Sequence, residues 1–572
     1  MNRIFRLALL FFVLTTICIV TIYYSNTALT LYLKLSGILI RESSSTFVEQ
    51  TIRWPLMLNP KILLHQHYLS TLPKVALSIE NAAIDSLDQT AENALKKGFL
   101  SKDNNVYVTA VLYSAGQENP VQIRIHGSTK GNFNGLKKSL AVRFRKINER
   151  KKLPSFNLVN PKQHNYLVPV FGNYIAKELG LIFNEQQLVN LEINNASYGA
   201  YWKEEIINKY FLINRNLNAA IIKLKDNWIE NAPAAGNFAL QEISGLKKIK
   251  QSDSPEILNR YAGLSEAVDS CNWQSVLSYF DLDYMAKYEA YRCLFGVCHD
   301  VMWENLKLIY KYDDQRFYPV IRVEGDLNRI SFTDGSLLTS YNSCRFLNLD
   351  KDVLMRAFII MENSPDFRQR KFKALSEIIE HFPVWEQNLT QEMLKYENAV
   401  LYDPNDAHSV REKQYLFSRY FDIFRNNLNC IKQQLNMTPC YINLFSEKDK
   451  IKIEVIPDTE VPLKFRKFSL NLDSLTLKVN KFYISGNNLA QAALIADEAG
   501  KIDIAKYLNQ DNTMPYFNNK GKLQKKISTF FISISRDDQP TLESFAITMD
   551  NAATGESLPE NLVNIAVASE NE

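Results

Sequence analysis

What most constrains the fold of this chain is a hydrophobic period that changes twice along its length. From about residue 104 apolar residues alternate with polar ones; beyond about 250 they recur at spacings of three and four; after Cys440 the alternation returns. The first stretch reads as strands at Val106–Leu112, Val121–Ile125, Leu140–Phe144 and Ala219–Lys225. A hairpin is expected from Leu188–Ile193 and Tyr198–Lys203 around Asn194-Asn195, with a helix over Ile206–Asn214. The second stretch reads as helices at Pro255–Ala267, Leu282–Phe295, Val353–Met361, Asp366–His381 and Glu412–Leu435. One hairpin interrupts them, Leu306–Tyr312 and Arg316–Val323 flanking Asp313-Asp314. The third stretch carries Ile451–Val455, Phe468–Leu472, Leu475–Val479 and Lys526–Ser535, a separate small β domain. At 572 residues the length suits roughly 3–4 domains.

The amino end has its own character. Arg3 and Arg6 precede Leu7–Tyr24, eighteen uncharged residues that would rise about 27 Å as a helix, enough to cross a bilayer core. Tyr23 and Tyr24 stand where an interfacial belt would. The segment reads as an uncleaved anchor, with a cleaved signal as the other reading. The arginine pair puts the N-terminus in the cytoplasm and the bulk of the chain outside it. Ala28–Ile40, interrupted by Lys34, is too short to span and reads as a surface or packing helix.

Composition removes several classes. Glycine and proline number 19 each, about 7% of the chain against the ~12% of average usage, so collagen-like and low-complexity readings fail. The net charge of +4 gives no case for nucleic acid as a partner. Of seven cysteines, Cys293 and Cys298 are the closest pair, and no second close pair accompanies them for a zinc site; buried free thiols are expected.

The glycines Gly127, Gly131 and Gly135 before Lys137-Lys138-Ser139 do not have phosphate-loop spacing, because Leu136 separates the last glycine from lysine. A strand-connecting turn is expected. The segment Asp300-Val301-Met302-Trp303-Glu304-Asn305 says more. Asp-x4-Asn after a helix, then a hairpin, then Asp326-Leu327-Asn328 repeats the order of a kinase catalytic loop and metal-binding aspartate. Phosphoryl transfer requires a triphosphate held in place, its charge neutralised by Mg²⁺ on oxygen ligands, and an aligned acceptor hydroxyl. Asp326, Asn305 and Asn328 offer such oxygens, and Asp300 a base. His299 reads as a core or turn histidine, and the basic run Arg143–Lys152 as a solvated face.

From about 118 to 435 the chain resembles the CotH family of spore coat protein kinases, which have an atypical kinase fold without a glycine-rich loop. The resemblance rests on Arg124-Ile125-His126-Gly127-Ser128-Thr129 with Lys137-Lys138-Ser139, on Asn173–Gly180, on Asn194–Tyr201 with Glu205, and on Asp300…Asn305 with Asp326-Leu327-Asn328. It implies ATP-dependent phosphorylation of protein hydroxyls with Mg²⁺ or Mn²⁺. Asp300 would be the catalytic base, Asp326 and Asn305 metal ligands, and Lys138 with Glu205 the nucleotide side, Lys137, Lys223 and Lys225 competing for the lysine's role. His126, Gly325 and Asn328 depart from the family's Arg, Trp and Asp, so a degenerate protein acting as an anchored binding or structural element is the alternative. An acid/base hydrolase on Asp300 and Asp326 is a third reading.

The expected fold class is therefore α+β: a two-lobed, atypical kinase-like domain behind an N-terminal transmembrane helix, followed by a small β domain. Its boundaries are an anchor over 1–25, a juxtamembrane helical connector over 26–103, a β-rich lobe over 104–226, a helical lobe over 227–438, a β domain over 439–549 and a disordered tail over 550–572. The expected partners are the membrane and a protein substrate that the sequence does not name.

Overall fold

The structure is a computed structural model. It describes residues 15–16, 64–101, 105–224 apart from 115, 136 and 145–154, 240–245, 255–296, 306–330 apart from 324–326, 353–436 apart from 407 and 409, and, between 440 and 569, the strands named below with parts of their connections. Two compact units divide the chain. One comprises Met1–Asn216, Arg322–Leu327 and Trp385–Asp422; the other comprises Leu217–Ile321, Asn328–Val384 and Ile423–Glu572.

The first unit is built on a closed barrel. Its strands are β1 (Lys74–Ser78), β2 (Val108–Ser114), β3 (Gln117–Ile125), β4 (Leu140–Phe144), β5 (Phe156–Val159), β6 (Gln186–Ile193) and β7 (Ala196–Glu205). They pair in the order β1-β2-β3-β4-β5-β7-β6, and β6 closes onto β1 in parallel. Alternation points Val121, Ile123 and Ile125 inward with Val142, Leu158, Val189 and Leu191. Helix α1 (Asn81–Lys97) adds Leu87, Ala91 and Ala94 to the same core, and Gly98 ends it at φ +83°. Helices α2 (Val168–Glu178) and α3 (Lys209–Asn214) follow β5 and β7 in sequence. The glycine-bearing stretch between β3 and β4 is a connection between neighbouring strands, as its spacing predicts.

The second unit holds a four-stranded sheet in the order β11-β10-β8-β9, from β8 (Ala219–Leu224), β9 (Leu240–Gly245), β10 (Lys307–Lys311) and β11 (Arg316–Pro319). Its helices are α4 (Pro255–Asp269), α5 (Trp273–Leu277), α6 (Leu282–Phe295) and α7 (Val353–Met361). Two longer helices, α8 (Pro365–Leu401) and α9 (Val410–Asn436), contribute to each unit. Asp281 caps α6 by accepting from the Tyr284 amide at 2.8 Å, and Gly296 stops it at φ +61°. The expected end of α8 at His381 is overrun: the helix continues through Pro383, with Phe382, Trp385, Leu389 and Met393 buried along it. Burial of these side chains outweighs the hydrogen bond that proline cannot make.

Carboxy-terminal to α9, strands at Cys440–Glu447, Lys450–Pro457, Phe482–Gly486, Ala492–Leu494, Ser528–Ile534 and Val563–Ser569 form a six-stranded sheet. Leu463–Leu472, Lys501–Asp503 and Leu542–Asn551 form a three-stranded one, and both share a core with Ile453, Phe468, Ile502 and Phe530.

Three expectations are corrected. The first β region is no open kinase-like lobe: β1, from the segment read as a helical connector, pairs with both β2 and β6 and closes the sheet into a barrel. Closure removes the two sheet edges that an open lobe would leave. The fold class is corrected to a mixed α/β one built on a closed barrel; among the described residues no helix is long and apolar enough to cross a membrane, and apart from Thr15 and Thr16 residues 1–25 lie outside the described ones. Residues 550–572, read as a disordered tail, supply the strand Val563–Ser569, which runs parallel to Cys440–Glu447. Its alternating Val563, Ile565 and Val567 suit a strand better than the tail's net acidity suggests.

Among the described cysteines, Cys293, Cys430 and Cys440 are buried free thiols, as expected, and Cys271 is an exposed one.

Candidate functional site

The adjacent lysines before β4 have opposite fates. Lys138 stays near the surface and pairs with Asp88 of α1 at 2.7 Å. Lys137 turns inward and is almost wholly buried; its Nζ donates to the Ala200 carbonyl at 2.6 Å and to Asp403 at 2.5 Å. Asp403 also accepts the Ala200 amide at 2.8 Å and the Asn405 amide at 3.0 Å. A second buried carboxylate follows three residues on. Asp406 accepts from the Tyr166 hydroxyl and the His408 amide, both at 3.0 Å, and faces Lys413 at 3.6 Å. Burial would raise its carboxyl, but Lys413 and Lys137 hold it well below the usual carboxylate range. Lys223 lies on β8, and Lys225 lies outside the described residues.

The two glutamates that end β7 diverge in the same way, because successive side chains of a strand point to opposite faces. Glu205 is held bidentately by Arg215, at 2.9 and 2.7 Å. Glu204 is buried. It accepts from Asn157 at 2.9 Å and Asn184 at 3.0 Å, and has His126 and Arg322 each at 3.9 Å. Burial alone would raise the Glu204 carboxyl; Arg322, His126 and His164 around it reverse that and hold it low. Burial pushes His126 down to about 4 against the opposing pull of Glu204, so the ring is neutral at pH 7. Asn184 also accepts the Val323 amide at 2.8 Å, and Gln186 donates to the Val323 carbonyl. The chain leading to Asp326 is thus tied to β6 and β7 as far as Val323.

In the second unit Asn328 is bound on three sides. Its amide donates to the Phe295 carbonyl at 2.9 Å, its Nδ2 to the Gly296 carbonyl at 3.1 Å, and its own carbonyl accepts from Asn427 Nδ2 at 2.8 Å. Asp300, Asn305 and Asp326 lie outside the described residues. Of the six residues singled out from the sequence, the structure therefore describes Lys138, Glu205 and Asn328. It does not pair Lys138 with Glu205, each being engaged elsewhere.

Sequence reasoning passed over Glu204, Asp403, Asp406, Lys413 and Asn427. The one local signal was Asp403-Pro404-Asn405-Asp406, which reads as a turn and serves as one, its carboxylates also being the counter-charges for two buried lysines. Among the described residues no group of three His, Cys, Asp or Glu side chains is arranged to hold a metal. The donors named from the sequence, Asp326, Asn305 and Asn328, are all oxygen ligands and fit Mg²⁺ or Mn²⁺ by type. In Asn328 the amide nitrogen is committed to Gly296, which leaves its Oδ1 as the atom of ligand type.

No protein-family model matches the chain, and no curated protein matches it.

Proposed function

We propose that this chain is a CotH-like protein kinase that transfers the γ-phosphate of ATP to protein hydroxyls with a divalent metal. The observation that carries the reading is the join between Gly296 and Asn328. In sequence Asp300 is four residues beyond Gly296, and Asp326 is two residues before Asn328. A base and a metal-binding carboxylate tethered to one hydrogen-bonded point suit one triphosphate and its acceptor. In this reading Asp300 orients the acceptor hydroxyl and accepts its proton, while Asp326 and Asn305 hold the metal. The metal, when bound, neutralises phosphate charge.

A second reading, a binding or structural protein without catalysis, is favoured by a different observation. Lys138 and Glu205, the residues the resemblance puts on the nucleotide, are both engaged in other ion pairs. Taking up nucleotide would require each to leave its partner.

The experiment is nucleotide binding and transfer of labelled phosphate from ATP, to the protein itself and to candidate proteins, with Mg²⁺, Mn²⁺ or Ca²⁺. Asp326→Ala is expected to lower metal-dependent binding and turnover together. Asp300→Ala is expected to keep binding while turnover falls by about 10²–10⁴-fold. Wild-type protein that binds no nucleotide with any of the three ions would overturn the kinase reading in favour of the second.

A further inference from the structure

Helix α9 passes Asn427 into the space where α6 ends, with Asn426 beside it donating to the Ile330 carbonyl at 3.4 Å. Asn427 is completely buried. Its Nδ2 donates to the Leu294 carbonyl at 2.8 Å and to the Asn328 carbonyl at 2.8 Å, and its Oδ1 accepts the Ile330 amide at 3.0 Å. Two donors meet two carbonyls, and the acceptor meets the Ile330 N–H and, at 3.4 Å, Asn426 Nδ2, so the partners alone fix which way the carboxamide points. One turn earlier on α9, Phe424 packs edge-on against Phe295 with ring centroids 5.1 Å apart. The last turn of α6 is therefore gripped by an aromatic contact and by a carboxamide.

The place matters more than the bonds. Leu294 is two residues from Gly296, where the chain leaves α6 towards Asp300 and Asn305. Asn328 and Ile330 stand where the chain returns from Asp326. A buried asparagine that bridges these two segments, far from both in sequence, costs the fold a desolvated amide unless all its partners are kept. An apolar side chain of similar size would fill the same space without joining anything.

We infer that Asn427, together with Asn328, is a positioning residue that holds the chain leaving α6 at Leu294–Gly296 and the chain at Asn328–Ile330 in register, and that the Asn328 side chain acts in this clasp through its Nδ2. The inference rests on the kinase reading for its consequence but not for its geometry. Three consequences follow from the donor count. Asn427→Leu removes every bond. Asn427→Asp keeps the acceptor for Ile330 but turns a carboxylate towards two carbonyls. Asn328→Asp cannot donate to Gly296 and sets a carboxylate oxygen against that carbonyl.

The test has two arms. In the first, hydrogen exchange is followed at Asn328 and Ile330 in wild type, Asn427→Leu, Asn427→Asp and Asn328→Ala. Protection at Asn328 is expected to fall about 10-fold in each variant. Ile330 is expected to stay protected in Asn427→Asp and Asn328→Ala and to lose protection in Asn427→Leu. In the second arm, transfer from labelled ATP and binding of MgATP are measured on protein shown to be folded. Turnover of Asn427→Leu is expected to drop about 10²-fold, the effect of a small misplacement of reacting groups. Asn427→Asp is expected to recover part of its turnover, relative to wild type, as the pH falls and the protonated acid regains a donor.

Asn551→Leu serves as a control, because Asn551 is a buried carboxamide of the same unit that donates to the Leu435 carbonyl at 2.6 Å, away from these segments. It is expected to lose stability without losing turnover. If Asn427→Leu does not fold, Asn328→Ala carries both arms. Unchanged protection at Asn328 in the folded variants overturns the clasp. Lost protection with turnover equal to wild type overturns the positioning role. Should wild type bind no nucleotide at all, the kinase reading fails, and the exchange arm still decides the clasp by itself.

Discussion

Two pairs of neighbouring residues, Lys137-Lys138 and Glu204-Glu205, show how little identity says about role. In each pair one charge is buried in a network and the other stays at an ion pair nearer the surface. Removing one partner of a buried pair strands the other, which costs about 3–5 kcal/mol, whereas replacing both with apolar groups is often neutral. Asp403→Ala is therefore expected to lower stability by about 3–5 kcal/mol, and Lys137→Met with Asp403→Leu to recover most of it, read by denaturant unfolding. An additive loss in the double variant would show that the pair is not coupled. His126 makes a separate prediction about pH. Its folded value of about 4 lies below its ordinary 6.5, so the unfolded chain binds the proton first as pH falls. The stability it contributes is fully present above about 6.5 and is lost down to about 4. Glu204 and Asp406, held low by their partners, add a further loss in acid. His126→Asn is expected to flatten the upper part of this profile; an unchanged slope of melting temperature between pH 4 and 6.5 would refute it.

Among elements, the β6–β7 hairpin was legible in the sequence to within a residue or two, because alternation on both arms brackets Asn194-Asn195 and both asparagines adopt left-handed backbone, at φ +52° and +66°. The two are not equivalent. Both are exposed, but Asn194 accepts the Ile79 amide at 2.8 Å and donates to the Ile79 carbonyl at 2.7 Å, fastening the end of β1. Asn195→Gly relieves a left-handed side chain and is expected to change stability by no more than about 1 kcal/mol, in the stabilising direction. Asn194→Gly loses two partly buried bonds and is expected to cost about 1–3 kcal/mol. Equal effects of the two, by thermal unfolding, would remove the distinction. Helix α6 was legible to the residue, since Asp281 and Gly296 mark its ends. Strand β1 was not. Five residues flanked by a proline carry too short a pattern, and only pairing with β2 and β6 makes them a strand.

For the whole molecule, the alternation after Cys440 correctly announced a β region, but its end was misjudged. Its core draws on both sheets between Cys440 and Met549, and the strand Val563–Ser569 covers one edge. A fragment of residues 440–572 is expected to fold with a β-type circular dichroism spectrum and a cooperative transition, and one ending before Val563 to unfold at lower denaturant. A non-cooperative 440–572 fragment would refute an independent core. The sequence by itself determined helix α6, the β6–β7 hairpin and several other strands and helices, though not β1, β5 or the strand Val563–Ser569. Those it determined depend on backbone periods and on hydrogen bonds that reach only a few residues. Closure of the barrel, burial of Lys137 rather than Lys138, and commitment of Asn328 to a clasp were decided only by the tertiary structure. The partners involved lie far off along the chain: Lys137 and Asp403 are 266 residues apart, and Asn328 and Asn427 are 99 apart. No local pattern records which distant group will desolvate a charge or complete its hydrogen bonds.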